Sequence, residues 1–255
     1  MKPFEGQVAV VTGASSGVGR ALAIALAAAG AAVGVVGRKP QALAAVAEAV
    51  ARAGGRAFIF EADLAVESAV EALAEALGRD PGRVDILVHS AGVHAGGGLG
   101  KVMTAALEAQ WAVNVRAPYA LTRALLPQLQ AARGQVVFIN STAGLRAPAG
   151  AIAYAATKHA LRAVADGLRD EVNADGVRVL SVYLGRTATP MQAAIHAAEG
   201  RTWDPGRLIQ PEDVAAIVLA AMALPRTAEV TDIALRPMRP LTDRPHEGAA
   251  PAPRR

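Results

Sequence analysis

Two kinds of apolar segment alternate along the chain, and this alternation limits the possible fold more than any other feature. Short runs rich in β-branched residues, typical of strands, cover residues 7–12, 32–36, 56–60, 84–88, 135–140, 177–184 and 229–235. Longer alanine-rich stretches with helical spacing cover residues 19–29, 41–53, 67–77, 104–130, 154–173 and 211–223. Apolar strands joined by helices predict an α/β fold with one doubly wound, mostly parallel seven-stranded sheet that carries helices on both faces.

The alternating pattern ends near residue 235, where the composition changes. Five of the 15 prolines fall in residues 236–255, together with five arginines and two acidic residues. We therefore expect one domain over residues 1–238 and a disordered Pro/Arg-rich tail over residues 239–255. Of the 26 basic and 22 acidic residues, 21 and 20 remain for the rest of the chain, which is nearly neutral.

This composition disfavours several classes of function. A nearly neutral body does not predict nucleic-acid binding; salt-sensitive binding through the tail remains a weaker alternative. The longest uncharged apolar run, residues 21–37, is 17 residues long and is interrupted by Gly30 and Gly34, so we expect no membrane span. The chain has no cysteine, its first residues lack the layout of a signal peptide, and we expect a cytoplasmic protein. The five histidines lack paired ligand spacing, which predicts no metal.

The first predicted strand leads directly into a glycine-rich turn, and a predicted helix follows the turn at once. Gly13, Gly17 and Gly19 have the spacing G-x-x-x-G-x-G. Glycine lets the backbone turn tightly and approach a pyrophosphate, and the free N–H groups at a helix start attract the anion. We predict a phosphate-binding turn that also includes Ser15, Ser16 and Val18. A purely structural turn is the alternative.

Charge at the end of the second strand predicts which dinucleotide binds. An acidic residue here would bond the adenosine ribose and repel a 2′-phosphate, whereas this chain has Gly37, Arg38 and Lys39. Attraction between the cations and the phosphate contributes ~1 kcal/mol in water and more where the site is shielded. The sequence therefore favours NADP(H) over NAD(H), with a solvated turn as the alternative.

Tyr154 and Lys158 are four residues apart in a helical stretch, so they share one helix face. A phenol has a pKa near ~10, and a neighbouring ammonium group is expected to lower it by stabilising the phenolate. The lowered pKa would make Tyr154 a usable general acid and base near neutral pH. Ser141 lies at the end of the predicted fifth strand, where doubly wound sheets bind their ligands.

Taken together, these motifs resemble the short-chain dehydrogenase/reductase family, classical type, over residues 5–235. The family's turn, T-G-x-x-x-G-x-G, is matched by Thr12, Gly13, Gly17 and Gly19. The resemblance implies a Rossmann-type fold and an oxidoreductase that transfers a hydride between nicotinamide and a carbonyl or secondary alcohol. It also implies a homodimer or homotetramer formed through the helices at 104–130 and 154–173.

The resemblance assigns further site residues. Asn114, Ser141, Tyr154 and Lys158 match the catalytic tetrad, in which the serine polarises the substrate carbonyl, the asparagine carbonyl holds a water, and the lysine also binds the nicotinamide ribose. The remaining matches are cofactor contacts: Asp63 and Leu64 beside adenine, Ser90, Ala91 and Gly92 after the fourth strand, and Gly185, Thr187 and Thr189 near the nicotinamide. His89 and Ser90 depart from the family pattern, which has two asparagines there, and Leu184 departs from it where the family has proline.

The resemblance also implies that the substrate is a small carbonyl compound or alcohol. Residues 186–209 are expected to close over it, and the alanine-rich walls predict an apolar pocket with few polar anchors. His89, His94, His159 and His196 are expected to be structural or exposed. A non-catalytic dinucleotide-binding regulator or scaffold is the alternative function, since a fold does not fix a function.

Overall fold

The computed structural model describes residues 2–239 of the 255-residue chain. Its strands are β1 (Val8–Thr12), β2 (Ala32–Gly37), β3 (Ala57–Glu61), β4 (Ile86–His89), β5 (Gln135–Ser141), β6 (Arg178–Leu184) and β7 (Asp232–Leu235). Its α-helices are α1 (Gly17–Ala28), α2 (Pro40–Arg52), α3 (Glu67–Arg79), α4 (Thr104–Trp111), α5 (Ala117–Ala131), α6 (Ile152–Val172), α7 (Pro190–Ala198) and α8 (Pro211–Met222).

The strands form one parallel sheet in the order β3-β2-β1-β4-β5-β6-β7, which confirms the predicted doubly wound α/β fold. The chain runs outward from β1 to β3 and then returns to place β4 on the other side of β1. This reversal opens a crevice at the carboxyl ends of β1 and β4, where ligands bind in open α/β sheets.

Both faces of the sheet are buried, which explains why its strands are continuous apolar runs. Val11 and Val35 belong to the core beneath α1, α2 and α8, whereas their neighbours Val10 and Val36 belong to the core beneath α3, α5 and α6. All four side chains are fully buried. Each such side chain contributes roughly 1.5–3 kcal/mol by leaving water, so both helical layers are held firmly against the sheet.

The structure divides the long helix predicted over residues 104–130. α4 and α5 are separated by a π-helical segment, Ala112–Arg116, in which the N–H of Ala117 donates to the carbonyl of Ala112. Pro118 follows immediately and has no N–H to donate to the carbonyl of Asn114. The wider turn therefore occurs where the regular α-helical bonding pattern would lose a donor.

One helix was not predicted. α7 lies within the segment 186–209 that was expected to close over the substrate, and Thr189 caps it by accepting a hydrogen bond from the N–H of Gln192 at 3.2 Å. Within residues 2–239, no helix has both the length and the apolar character needed to cross a membrane. The tail predicted over 239–255 lies, except for Arg239, outside the described residues.

Candidate active site

The side chain of Thr12 joins the ends of the two central strands. Its Oγ1 accepts hydrogen bonds from the N–H groups of Ser90 at 3.1 Å and Ala91 at 3.2 Å. The same hydroxyl donates to the carbonyl of Val88 at 3.3 Å. The glycine-rich turn after β1 and the Ser90–Ala91 segment after β4 are therefore held side by side at the mouth of the crevice.

The glycines of the turn allow very close backbone packing. A Cβ atom on Gly13 would lie 2.7 Å from the Cα of Ala91, and one on Gly19 would lie 2.4 Å from the carbonyl oxygen of Gly13. Gly13 also has a φ of +67°, a conformation that side chains other than glycine rarely adopt. The turn, the first residues of α1 and the end of β4 can form this arrangement only with glycine at these positions.

The start of α1 provides a suitable place for a phosphate. The helix begins at Gly17, and the side chain of its N-cap residue, Ser16, makes no capping hydrogen bond. The N–H groups of the first turn point out of the helix at the carboxyl end of β1 and carry a partial positive charge. Val18 is buried, and Ser15 packs near Gly37 at the end of β2. The residues present therefore fit a dinucleotide phosphate.

Arg38 projects from the end of β2 next to an acidic group. Its side chain is 61% exposed, and its Nη1 lies 3.9 Å from Oδ2 of Asp63. The other carboxylate oxygen of Asp63 accepts a hydrogen bond from the N–H of Ala65 at 3.0 Å, and Leu64 between them is buried. The predicted adenosine-binding residues Arg38, Asp63 and Leu64 are thus brought to one side of the glycine-rich turn.

Tyr154 and Ser141 meet at the opposite side of the crevice. Tyr154 lies in the first turn of α6 and Ser141 at the end of β5, and Ser141 is close enough for its side chain to act on the pKa of the Tyr154 phenol. The Ser141 Oγ also accepts a hydrogen bond from the N–H of Ala143 at 3.1 Å, which fixes its orientation. Two hydroxyl groups that can polarise a carbonyl oxygen therefore converge on one point.

Lys158 lies one helical turn beyond Tyr154 and is almost completely buried. Its Nζ is 5.8 Å from the centroid of the Tyr154 ring and donates a hydrogen bond to the carbonyl of Ile139 at 3.0 Å. A Cβ atom on Gly92 would lie 4.0 Å from this nitrogen. The spacing predicted from the sequence therefore brings Lys158 and Tyr154 together, close to the segment after β4.

The expected lowering of the Tyr154 pKa by Lys158 is wrong for the chain by itself. Burial raises the pKa of Tyr154 to about 12, and the hydrogen bond with Ser141 opposes this rise. Burial also lowers the pKa of Lys158 to about 8. Both changes have the same physical origin, because loss of water penalises the charged form of each group. The spacing in the sequence predicted the cation next to Tyr154 but could not predict the loss of water around the phenol.

Asn114 is fully buried in the π-helical segment and is linked to α6. Its side-chain amide accepts from the N–H of Val93 at 2.9 Å and donates to the carbonyl of Val93 at 3.0 Å. It also donates to Oγ1 of Thr157, the neighbour of Lys158, at 3.1 Å. Thr157 was not predicted, and its position next to Lys158 is the only signal the sequence offers. The structure thus connects Asn114 directly to α6, the helix that carries Tyr154 and Lys158.

The turn after β6 meets the glycine-rich turn. The methyl group of Thr189 lies where it would be 3.0 Å from a Cβ on Gly17, and Thr187 is buried with its hydroxyl donating to the carbonyl of Gly185 at 3.1 Å. The N–H of Gly185 donates to the carbonyl of Leu235 at 2.8 Å. All three predicted residues lie at the carboxyl end of β6, although the hydroxyls of Thr187 and Thr189 already have partners in the chain.

His94 was expected to be structural or exposed, and the structure places it beside the candidate catalytic tyrosine. The imidazole and phenol rings meet edge to face, with centroids 4.8 Å apart. Burial lowers the pKa of His94, the charge of Glu199 raises it and the charge of Arg186 lowers it. The sequence signal was its place in a glycine-rich loop directly after Ser90, Ala91 and Gly92.

Two other histidines are buried and make contacts within the chain. His89 is buried, its Nε2 lies 2.8 Å from Oγ1 of Thr122, and its ring stacks on Phe138 at 5.0 Å. Burial lowers the pKa of His89 to about 3, so it is neutral. His196 is buried on α7 and meets Trp203 edge to face at 5.3 Å. Among residues 2–239, no group of three or more potential ligands could hold a metal ion.

Comparisons with known proteins agree with this arrangement. A sequence model of the family described as short chain dehydrogenase matches residues 7–200, which include both the glycine-rich turn and Tyr154. An uncharacterized short-chain type dehydrogenase/reductase of Sinorhizobium fredii is 32% identical over 237 residues, covering 91% of this chain and 91% of that relative.

Two solved structures are also similar. A metagenomic short-chain oxidoreductase in complex with NADP has a TM-score of 0.80 and 33% identity, covering 93% of this chain and 100% of its own. A putative short chain dehydrogenase of Escherichia coli complexed with NADPH has a TM-score of 0.84 and 29% identity, covering 91% of this chain and 98% of its own.

Proposed function

This chain belongs to the short-chain dehydrogenase family of oxidoreductases, and we propose that it is an NADP(H)-dependent enzyme that interconverts a carbonyl compound and a secondary alcohol. The single observation that carries this proposal is the convergence of Tyr154, Ser141 and Lys158 beside the crevice between β1 and β4. The bound nicotinamide would supply or accept the hydride. The protein would contribute position, electrostatics and proton transfer.

Tyr154 would act as the general acid in carbonyl reduction. Its high pKa keeps the phenol protonated at neutral pH, which is the form needed to donate a proton to the substrate oxygen. Ser141, whose side chain lies close to the same hydroxyl, would orient and polarise that oxygen. Lys158, with a pKa near 8, is mostly charged at pH 7 and would favour the phenolate that is left after the transfer.

Asn114 would supply a carbonyl for the proton relay. In a regular α-helix this carbonyl accepts from the N–H four residues later, and that residue is Pro118, which has none. Its side chain is held by Val93 and Thr157, so the residue itself is firmly positioned. These contacts support a role for the Asn114 main chain rather than for its amide.

Several residues would hold the dinucleotide. The pyrophosphate would bind at the turn formed by Gly13, Ser15, Ser16, Gly17, Val18 and Gly19. Arg38 would bind a 2′-phosphate, because its side chain is exposed at the end of β2 and no acidic residue ends that strand. Both structural relatives described above were solved with NADP or NADPH, which supports the same preference.

A spectrophotometric screen tests this proposal. NADPH oxidation is followed at neutral pH with a panel of ketones, aldehydes and oxo acids, and we expect turnover with at least one of them. The alternative, a dinucleotide-binding protein without activity, predicts NADPH binding by fluorescence titration and no rate with any member of the panel. Binding without turnover would overturn the enzymatic proposal.

A further inference from the structure

A charged cluster lies beside the proposed catalytic centre and is not used by the mechanism above. Arg186 is on the turn that follows β6, and its Nη2 donates to the Glu199 carboxylate at 2.8 Å. The Nε of Arg201 lies 2.9 Å from the same carboxylate. Two arginines share one glutamate, so the cluster has a net charge of +1.

His94 connects this cluster to Tyr154. Its ring contacts the Tyr154 ring edge to face at 4.8 Å, and it lies close enough to Arg186 and Glu199 for both charges to act on it. A Cβ atom on Gly96 would lie 2.7 Å from Cε1 of His94, so glycine at this position leaves room for the ring. Through His94, the charges of the cluster therefore act on the immediate surroundings of Tyr154.

The guanidinium group of Arg186 has unused binding capacity. Its Nη1 is buried and has no hydrogen-bond partner among residues 2–239, while its side chain as a whole remains 26% exposed. A buried donor without a partner is costly, and its presence calls for an explanation. An arginine with one nitrogen paired and one free is suited to a second oxygen ligand, because its donors form a planar fork.

We propose that Arg186 is a substrate-recognition residue and that the substrate carries an anionic oxygen group, a carboxylate or a phosphate, near its reacting carbonyl. This inference rests on the proposed oxidoreductase function and names the substrate class for it. The negative charge of the anion would neutralise the net charge of +1 on the cluster. The anion would also compete with Glu199 for Arg186. The apolar, weakly anchored pocket expected from the alanine-rich sequence is replaced by one with a cationic wall.

The test compares charged and neutral substrates that are otherwise matched. The pairs are pyruvate, acetoacetate and levulinate, each with its ethyl ester, and dihydroxyacetone phosphate with dihydroxyacetone. The oxo acids test recognition of a carboxylate and the phosphate ester tests that of a phosphate. For the wild-type enzyme with NADPH, we expect kcat/KM for the anionic member of at least one pair to exceed that for its neutral partner by at least about tenfold, as one charge-assisted hydrogen bond allows.

Two variants assign this preference to the cluster. Arg186→Gln should remove about tenfold or more of kcat/KM for the preferred anion and leave the neutral partner within about threefold. Glu199→Gln removes the competing carboxylate and should lower KM for the same anion, a gain that misfolding cannot imitate. Arg52→Gln is the matched control, since Arg52 forms an exposed arginine–glutamate pair with Glu48 on α2, away from this cluster.

The outcomes separate this inference from the proposed function. Two results would overturn the inference and leave the oxidoreductase proposal intact. One is that the wild type has the same kcat/KM for neutral ketones as for the anions. The other is that Arg186→Gln loses the same factor in kcat/KM for both members of a pair. If no compound is turned over, the proposed function fails, and the inference is then judged from calorimetric Kd values of the same anions with the NADPH complex. Equal Kd values for wild type and Arg186→Gln would overturn it.

Discussion

The ammonium nitrogen of Lys158 lies 5.8 Å from the centroid of the Tyr154 ring, with Lys158 buried and Tyr154 partly buried on the same face of α6. Burial favours the neutral form of both groups, so it raises the pKa of the phenol to about 12 and lowers the pKa of the amine to about 8. The chain alone therefore holds a protonated phenol beside an amine that titrates close to neutral pH. The proposed general acid is in its donating form, and the ionisation most sensitive to pH is that of Lys158.

The pH dependence of carbonyl reduction should follow Lys158. Below pH 8 its ammonium form predominates, and as the pH rises through 8 the charge that favours proton release from Tyr154 is lost. We expect kcat/KM for NADPH-dependent reduction to be flat near neutral pH and to fall above about pH 8. Lys158→Arg keeps the charge at high pH, so its residual activity should lack this alkaline limb. An identical limb in both proteins would assign it to another group.

Replacing the buried Lys158 by an apolar residue should make the fold more stable and the protein inactive. A buried cation whose folded pKa is about 8 rather than 10.5 destabilises the fold below pH 8, and the penalty disappears as the pH rises to 10.5. Removing the buried charge should relieve about 3 kcal/mol and losing the hydrogen bond to Ile139 should cost about 1 kcal/mol. Lys158→Met should therefore raise the free energy of unfolding by roughly 2 kcal/mol at pH 7 while abolishing turnover.

Urea denaturation at pH 7 and pH 10 measures the free energy of unfolding of wild type and Lys158→Met. Lys101→Met, a change at an exposed lysine, is the control. The difference in stability between wild type and Lys158→Met should shrink at the higher pH. A difference that stays constant, or that grows with pH, would mean that Lys158 is not penalised by burial.

Cofactor preference should depend on Arg38. The wild-type kcat/KM with NADPH should exceed that with NADH, and Arg38→Gln should reduce this ratio by about fivefold or more, since a single attraction is worth at least ~1 kcal/mol. The NADH value should change little. Because Arg38 lies 3.9 Å from Asp63, Asp63→Asn should strengthen the NADPH preference by freeing the cation. A wild-type preference for NADH would contradict the assignment.

The sheet could be predicted from sequence because its strands are buried on both faces. Val10 and Val11 point to opposite cores, and both must be apolar, so each strand stands out as a continuous run. The interruption at Ala112–Arg116 could not be predicted from apolar periodicity, which continues through it, although Pro118 indicates a missing donor. α7 was missed because most of its apolar side chains are not buried.

Those parts of the candidate site whose residues have a fixed spacing along the chain could be predicted from the sequence. The glycine-rich turn and the Tyr154–Lys158 pair are local patterns, and both are placed at the crevice. His94 and Arg186 are not neighbours in sequence of the residues they approach, so only the fold brings them together. The predicted lowering of the Tyr154 pKa was wrong for a related reason. Desolvation depends on the residues that surround a group in the fold, and sequence spacing does not identify them.

Proton donation by Tyr154 is tested by the rate of NADPH oxidation by Tyr154→Phe with a substrate that the wild type reduces. The substitution removes only the proposed proton donor, so the Kd for NADPH should stay within about twofold of wild type while kcat falls by at least about 10². A Tyr154→Phe protein that binds NADPH normally and retains most of its turnover would contradict the central claim.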